Sequence, residues 1–504
     1  MLFNLGDLVD RACDPQAPAL VDCRTWEQPL RLTHGEMDGL AKSVANALAR
    51  RGFSQGDRVG ILSANRAEFL AAYFGIMRAG FVAVPINHKF PAATVAFVLE
   101  DAAVRLVFCD RERRALLPPG VPTVDFDADW EDFLAPPGFD TVRPAPGAIA
   151  MILYTSGSTG RPKGVPLDHV GHLWTIRSKL APGPFDGHRL IIAAPMFHMN
   201  GLGTSKFVFA AHLSAVLLPQ FDARRYVEAI GRFGVTWLTS VPTMLALVVR
   251  ETVVLAGADL SSVRTVRMGS APVTGGLLDD LARVFPGVWV VNAYGTTEAG
   301  PVMFGQRPDR RPESPLALGW PLPDVEVRLV GADGGDAGEG VLWTRTPATM
   351  KGYLNLPAKS REVLTPDGWY ITGDVFRRHR DGAFEFVGRA DDMFVCGGEN
   401  IYPGEVEQML ETHSDIVQAC VVPVPDEIKG TKPFAFVVAR AGAALTELAV
   451  QKHALANAPA YQHPRRVVFL DDLPLAGTNK IDRRALGEAA LAHWTASGAH
   501  SARD

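Results

Sequence analysis

Apolar runs alternate with amphipathic stretches through the first half of the chain, and this alternation limits the fold more than any other feature. Arg58-Val59-Gly60-Ile61-Leu62 reads as a strand, and Ala67 to Ala79 as a helix leading into the strand-like Phe81-Val82-Ala83-Val84-Pro85-Ile86. The same rhythm returns at Leu190 to Ala194, Ser214 to Leu218, Val235 to Val241 and Val288 to Ala293. A strand covered on both faces reads as a continuous apolar run, so the pattern predicts parallel sheets flanked by helices in an α/β fold. Thr33-His34-Gly35-Glu36 is a capping box; Met37, Leu40, Ala41, Val44, Ala45 and Leu48 follow on one helical face, and Gly52 closes the helix.

After about Gly319 the texture changes. Val325 to Val330, Val341 to Thr344 and Ala383 to Val387 read as short strands split by turns, among them Gly331-Ala332-Asp333-Gly334-Gly335. A small β-rich subdomain is expected, in the form of a distorted barrel. Beyond Arg389 the pattern suggests a compact α+β unit. It has a helix near Gly404 to Glu411, strands at Ile416 to Val424 and Phe434 to Val438, and a helix around Leu445 to Ala458.

The chain has 504 residues with 47% hydrophobic content, enough for a large core and more than one domain. Its net charge of −5 argues against a nucleic-acid surface, which needs a basic stripe. Five scattered cysteines without a CxxC pair predict neither a disulfide framework nor a zinc cluster, and fit a reducing compartment. The first residues lack a basic n-region and a long apolar core, and Arg78 and Gly80 interrupt the most apolar window. A cytoplasmic protein with no stable membrane insertion is expected. A homodimer is an open expectation, since the sequence does not reveal the oligomeric state.

The apolar run Ile149 to Leu153 leads into Tyr154-Thr155-Ser156-Gly157-Ser158-Thr159-Gly160-Arg161-Pro162-Lys163-Gly164. Small residues and glycines let backbone N–H groups and hydroxyls converge on phosphate oxygens, and Lys163 adds a cation. The spacing is neither a Walker A loop nor a G-x-S-x-G nucleophile elbow. The loop resembles the phosphate-binding signature of the adenylate-forming (AMP-binding) superfamily, of acyl- and aryl-CoA synthetase type. Further segments match in order: Tyr294-Gly295-Thr296-Thr297-Glu298-Ala299, Gly368 to Asp374, Gly388-Arg389-Ala390-Asp391-Asp392, Gly397 to Pro403, and Asn479-Lys480. The resemblance covers nearly the whole chain. It implies an N-terminal adenylation domain over 1–388 with its β-rich part at about 320–388, a hinge at 389–391 centred on Asp391, and a mobile C-terminal domain over 392–504.

The resemblance also implies roles. Thr155, Ser156, Gly157, Ser158, Thr159 and Gly160 would cradle the ATP phosphates with Lys163 assisting. Tyr294 would pack on adenine, Thr297 would donate to the α-phosphate, and Glu298 would hold Mg²⁺, a hard cation suited to carboxylate, phosphate and water. Asp374 would accept the ribose hydroxyls, with Arg389 as a second ribose contact. Lys480 would bridge the incoming carboxylate and the α-phosphate, and His198 would stand at the pocket edge.

The implied reaction is that of an ATP-dependent acid–CoA ligase. Carboxylate and ATP give acyl-AMP and pyrophosphate, and CoA then displaces AMP. The alternative is a stand-alone adenylation enzyme that loads a carrier protein. A luciferase-like oxygenase and a catalytically dead nucleotide sensor are further removed; retention of Lys480, Glu298 and Asp374 argues against the sensor. For the acid, the motif positions place Met199, Asn200, Thr239, Gly269, Ala293, Gly295 and Gly300 around the tail. Gly295 stands where acetyl-specific relatives carry a tryptophan, so Gly295→Trp is expected to favour short acids. These small, uncharged residues point to an aryl or medium-chain acid. They disfavour a dicarboxylate, although Arg267 lies close by.

Overall fold

The computed structural model describes residues 2–155, 161–306, 311–477 and 479–496. Two largely parallel sheets form the N-terminal part, as the apolar runs require. The first has six strands in the order Thr123–Asp125, Val104–Cys109, Arg58–Leu62, Val82–Pro85, Ile149–Thr155 and Lys163–Asp168. Only the last pair is antiparallel. The second has seven strands in the order Trp289–Ala293, Thr265–Gly269, Trp237–Ser240, Arg189–Ile192, Ser214–Leu217, Pro18–Asp22 and Leu30–Thr33. Here too all pairings are parallel except the last.

The helix Ala67–Arg78 is buried along almost its whole length and packs on the helix His34–Arg50. A Cβ on Gly75 would sit 2.7 Å from the Ala41 carbonyl oxygen, so the glycine is what permits this close approach. The predicted capping box is formed: Thr33 accepts from the Glu36 N–H at 3.2 Å and Glu36 accepts from the Thr33 N–H at 2.7 Å.

The β-rich part departs from a barrel. Its four antiparallel strands, Glu326–Val330, Glu339–Arg345, Tyr370–Arg378 and Phe384–Arg389, follow one another in sheet order, and the two outer strands do not pair. The sheet is therefore open, with Gly331 to Gly335 forming the hairpin connector. The C-terminal unit carries strands Phe394–Cys396, Glu399–Ile401, Ile416–Asp426, Gly430–Ala439 and Arg466–Phe469. Its helices are Pro403–Leu410, Glu447–Asn457 and Arg483–Ala496.

Apolar packing divides at the link between these parts. The two clusters that fill the C-terminal unit draw only on residues from Phe394 onward, and none of the N-terminal clusters includes one of them. Polar contacts join the halves. Arg250 pairs with Asp472 and donates to the Asp471 carbonyl at 3.1 Å, the Thr243 hydroxyl donates to the Asn479 carbonyl, and Arg377 reaches Glu339 at 2.7 Å and Glu405 at 3.2 Å. Among the described residues no helix is long and apolar enough to cross a membrane.

Candidate active site

The carboxyl ends of the parallel strands open into one cavity of about 870 Å³. In α/β sheets this is where backbone N–H groups and side chains are free to meet a ligand. Thr155 lies at the end of its strand, Gly269 and Ala293 end theirs, and Ala194 and Val241 follow two more; all five line the cavity.

Thr155 and Lys163 face each other across the hairpin that carries the glycine-rich loop. The loop itself, Ser156 to Gly160, lies outside the described residues. Among the described residues the Thr155 hydroxyl is buried without a partner, an orphaned polar group of the kind a ligand oxygen would satisfy. The Lys163 ammonium stands 4.5 Å from the centre of the Tyr353 ring and 3.4 Å from its hydroxyl. That hydroxyl donates to Glu298 Oε1 at 3.0 Å. Burial raises the Glu298 carboxyl above its ordinary value, against the pull of Tyr353 and Lys163. Tyr353 thus joins the two charged residues, and no spacing in the sequence marks it.

Asp374 and Arg389 are cross-strand partners in the open sheet, and their side chains pair at 2.7 Å. The other Asp374 oxygen accepts the Tyr294 hydroxyl. Burial raises the Asp374 carboxyl despite Arg389. Tyr294 is held edge-on to Phe376, with ring centroids 4.8 Å apart. Asp391 follows as an exposed turn residue, 3.4 Å from Arg389.

Lys480, from the C-terminal unit, enters the cavity across from these groups. The residue as a whole is exposed, yet partial loss of hydration around its ammonium lowers its pKa, with Arg389 pushing the same way and Asp374 and Glu298 opposing. Burial, then Lys480, drives the His198 imidazole down to about 3, and its Nε2 is buried without a partner. It is a neutral ring at the start of the helix Met199–Ala210.

The residues expected around the acid come together only in part. Met199, Asn200, Gly269, Ala293, Gly295 and Thr297 line the cavity, whereas Thr239 and Gly300 do not. Thr239 spends its hydroxyl on the Ile191 carbonyl at 2.6 Å, as a buried strand residue must. Gly300 is turned towards Ala348, 3.2 Å from where its Cβ would lie. The Asn200 amide donates to the Ser240 carbonyl at 3.2 Å and leaves Oδ1 buried and unpartnered.

Gly295 corrects the tryptophan argument. A Cβ there would lie 2.2 Å from the Pro301 carbonyl carbon and 2.6 Å from the Gly300 oxygen, so any side chain collides with backbone before it reaches the pocket. The uncharged wall is a second correction, because Lys179 and Arg267 both line the cavity.

The AMP-binding enzyme family matches residues 9–354, and its C-terminal domain matches 405–480. The chain belongs to the AMP-binding enzyme family. A fatty acid–[acyl-carrier-protein] ligase, ScoC, of Streptomyces coeruleorubidus is 32% identical over 94% of this chain and 93% of its own length. A feruloyl-CoA synthase of an Amycolatopsis species is 34% identical over 89% and 92%. Among solved structures, the anthranilate CoA ligase AuaEII in complex with anthranoyl-AMP superposes with a TM-score of 0.88, at 27% identity and 98% coverage of both chains.

Proposed function

We propose that this family member is an ATP-dependent acid–CoA ligase that works through an acyl-adenylate. The carrying observation is that Lys480 of the C-terminal unit shares one cavity with Thr155, Lys163, Glu298, Asp374 and Arg389 of the N-terminal part. Two anions, a carboxylate and the α-phosphate, must meet before acyl transfer to a thiol becomes easy. Cations fixed in place beforehand stabilise the charge that develops, and the walls hold the reactants in line. In this reading the Thr155 hydroxyl and Lys163 take phosphate oxygens, Thr297 donates to the α-phosphate, and the Asp374–Arg389 pair takes the ribose. Lys480 spans carboxylate and phosphate, and neutral His198 borders the acid.

Glu298 is the residue that would hold Mg²⁺. It lines the cavity, and no cluster of three metal-ligating side chains exists among the described residues, so the donor set fits a cation that brings its own phosphate and water ligands. Bound there, Mg²⁺ would neutralise phosphate charge.

The second half-reaction needs the thiol of CoA beside the carbonyl that Lys480 has just served. We assign the exchange of groups to rotation of the residue 392–504 unit about residues 389–391. The likeness to ScoC supports a carrier protein as the second reading of the thiol. Pyrophosphate release and thioester yield, measured over a panel of acids with CoA, with acyl-carrier protein and with neither, test both. Pyrophosphate release without thioester from CoA would overturn the CoA reading. The same preparation, analysed by sedimentation for a homodimer and by cell fractionation for a cytoplasmic location, tests those two expectations.

A further inference from the structure

We propose that the acid accepted by this site carries a second anionic group, a carboxylate or a sulfonate, on its tail, and that Lys179 and Arg267 bind it. The inference rests on the acid–CoA ligase reading and deepens it.

Lys179 projects from the helix His169–Leu180 and Arg267 from the strand Thr265–Gly269, and both reach the wall of the cavity. Among the described residues neither has a carboxylate within 4 Å. The one side-chain hydrogen bond of Lys179 is a long 3.5 Å contact to the Gly203 carbonyl, and the Arg267 guanidinium makes none among the described residues. Lys206, 2% exposed, finds among the described residues one polar contact, the Met151 sulfur at 4.0 Å, and both ring nitrogens of buried His172 are unpartnered there.

Elsewhere this protein pairs its buried guanidiniums. Arg66 meets Glu68 at 2.9 Å and Asp127 at 2.8 Å, and Arg78 meets Asp38 at 2.7 Å and Asp7 at 3.2 Å. Lys179 and Arg267 are half-buried where they face the cavity, and a partly desolvated charge with no carboxylate partner is stabilised by a ligand that completes the pairing. Burial pushes Lys179 well below its ordinary pKa, Arg267 and Lys206 add to that, and no carboxylate opposes them. Burial alone brings Arg267 down to about 10. A hydroxyl on the tail would accept one hydrogen bond and neutralise nothing. An anion satisfies both cations, and a planar one suits the guanidinium fork.

The test compares kcat/KM within matched pairs: glutarate with its monomethyl ester, 4-carboxycinnamate with 4-methylcinnamate, and 4-sulfobenzoate with 4-methylbenzoate. The dianion is expected to win in at least one pair by about tenfold or more, since hydrogen bonds to charged groups are the strong ones. The best pair tells carboxylate from sulfonate. In the double variant Lys179→Met/Arg267→Met, kcat/KM for that dianion should fall about 100-fold, mainly through KM, and the preference should vanish. A preference for the uncharged tail in every pair overturns the inference, as does an equal loss for both members in the variant.

If no acid releases pyrophosphate, the ligase reading fails, and thermal unfolding still decides the anion site. The preferred dianion type, or each dianion in turn, added without ATP should raise the Tm of the wild-type protein and not that of the double variant. No shift with any dianion overturns the site.

Discussion

Lys480 and the Glu407-paired Arg483 are the cations that the C-terminal unit brings to the cavity, and the proposed role of Lys480 would separate the two half-reactions at the level of a single side chain. Lys480→Ala should slow acyl-AMP formation about 10²- to 10³-fold, while CoA attack on supplied acyl-AMP proceeds nearly as before. Single-turnover assays of each half-reaction check this, and equal loss in both would refute the assignment. Gly295 carries a second expectation at this scale. Because its Cβ position is filled by the Gly300–Pro301 backbone, Gly295→Ala should lower kcat/KM for acetate and for hexanoate alike. A switch of preference towards acetate would show that the backbone yields.

That Thr155, Lys163, Glu298, Asp374 and Arg389 come to line one cavity was readable because short segments hold them at fixed spacing. Tyr353, Lys179 and the obstruction at Gly295 were not. Each depends on what a distant segment places opposite, and neither periodicity nor spacing records that. Thr239 misled for the same reason, since whether a strand hydroxyl faces a cavity or a neighbouring carbonyl is decided by the adjacent strand.

Among the elements, most helices and parallel strands fell where periodicity, capping and glycine stops put them, and one C-terminal strand ran longer than expected. The helix predicted over 67–79 runs Ala67–Arg78, and the strand predicted over 434–438 extends to Gly430–Ala439. The barrel failed because closure depends on two edge strands meeting, which the strands' own residues do not specify. The turn around Asp391 joins the two halves, and Ala390 donates to the Gly373 carbonyl at 2.8 Å just before it. Hinges are a few residues that absorb large backbone changes, and proline fixes φ. Asp391→Pro should therefore keep pyrophosphate release and impair thioester formation strongly. Unaltered overall turnover would count against rotation about this turn.

The whole molecule buries several neutral histidines, and this sets how its stability responds to pH. Burial lowers His34 and His169 to about 4, with stacked His212 adding to the effect on His34, and it pushes His172 further down. Between pH 6.5 and about 4 the unfolded chain binds protons that the folded chain refuses. Stability contributed by these groups is thus present above pH 6.5 and lost as pH falls, by about 1.4 kcal/mol per pH unit for each group. Glu411, raised to about 8 by burial, works with the opposite sign as a single group. Urea midpoints should drop steadily from pH 6.5 to 5.5, and His34→Gln should flatten that slope. A midpoint independent of pH over this range would contradict the neutral-histidine reading.

The separation of apolar clusters at the link has a thermodynamic corollary. Lifting the C-terminal unit exposes no shared oily core, so the seated arrangement relies on charged contacts such as Arg250 with Asp472 and Arg377 with Glu405. Surface pairs of this kind are worth about 0–1 kcal/mol each and weaken as the Debye length shrinks below about 10 Å. Under the proposed rotation, the ionic atmosphere would act as a dial on the seated population, and rising salt would shorten the time Lys480 spends in place.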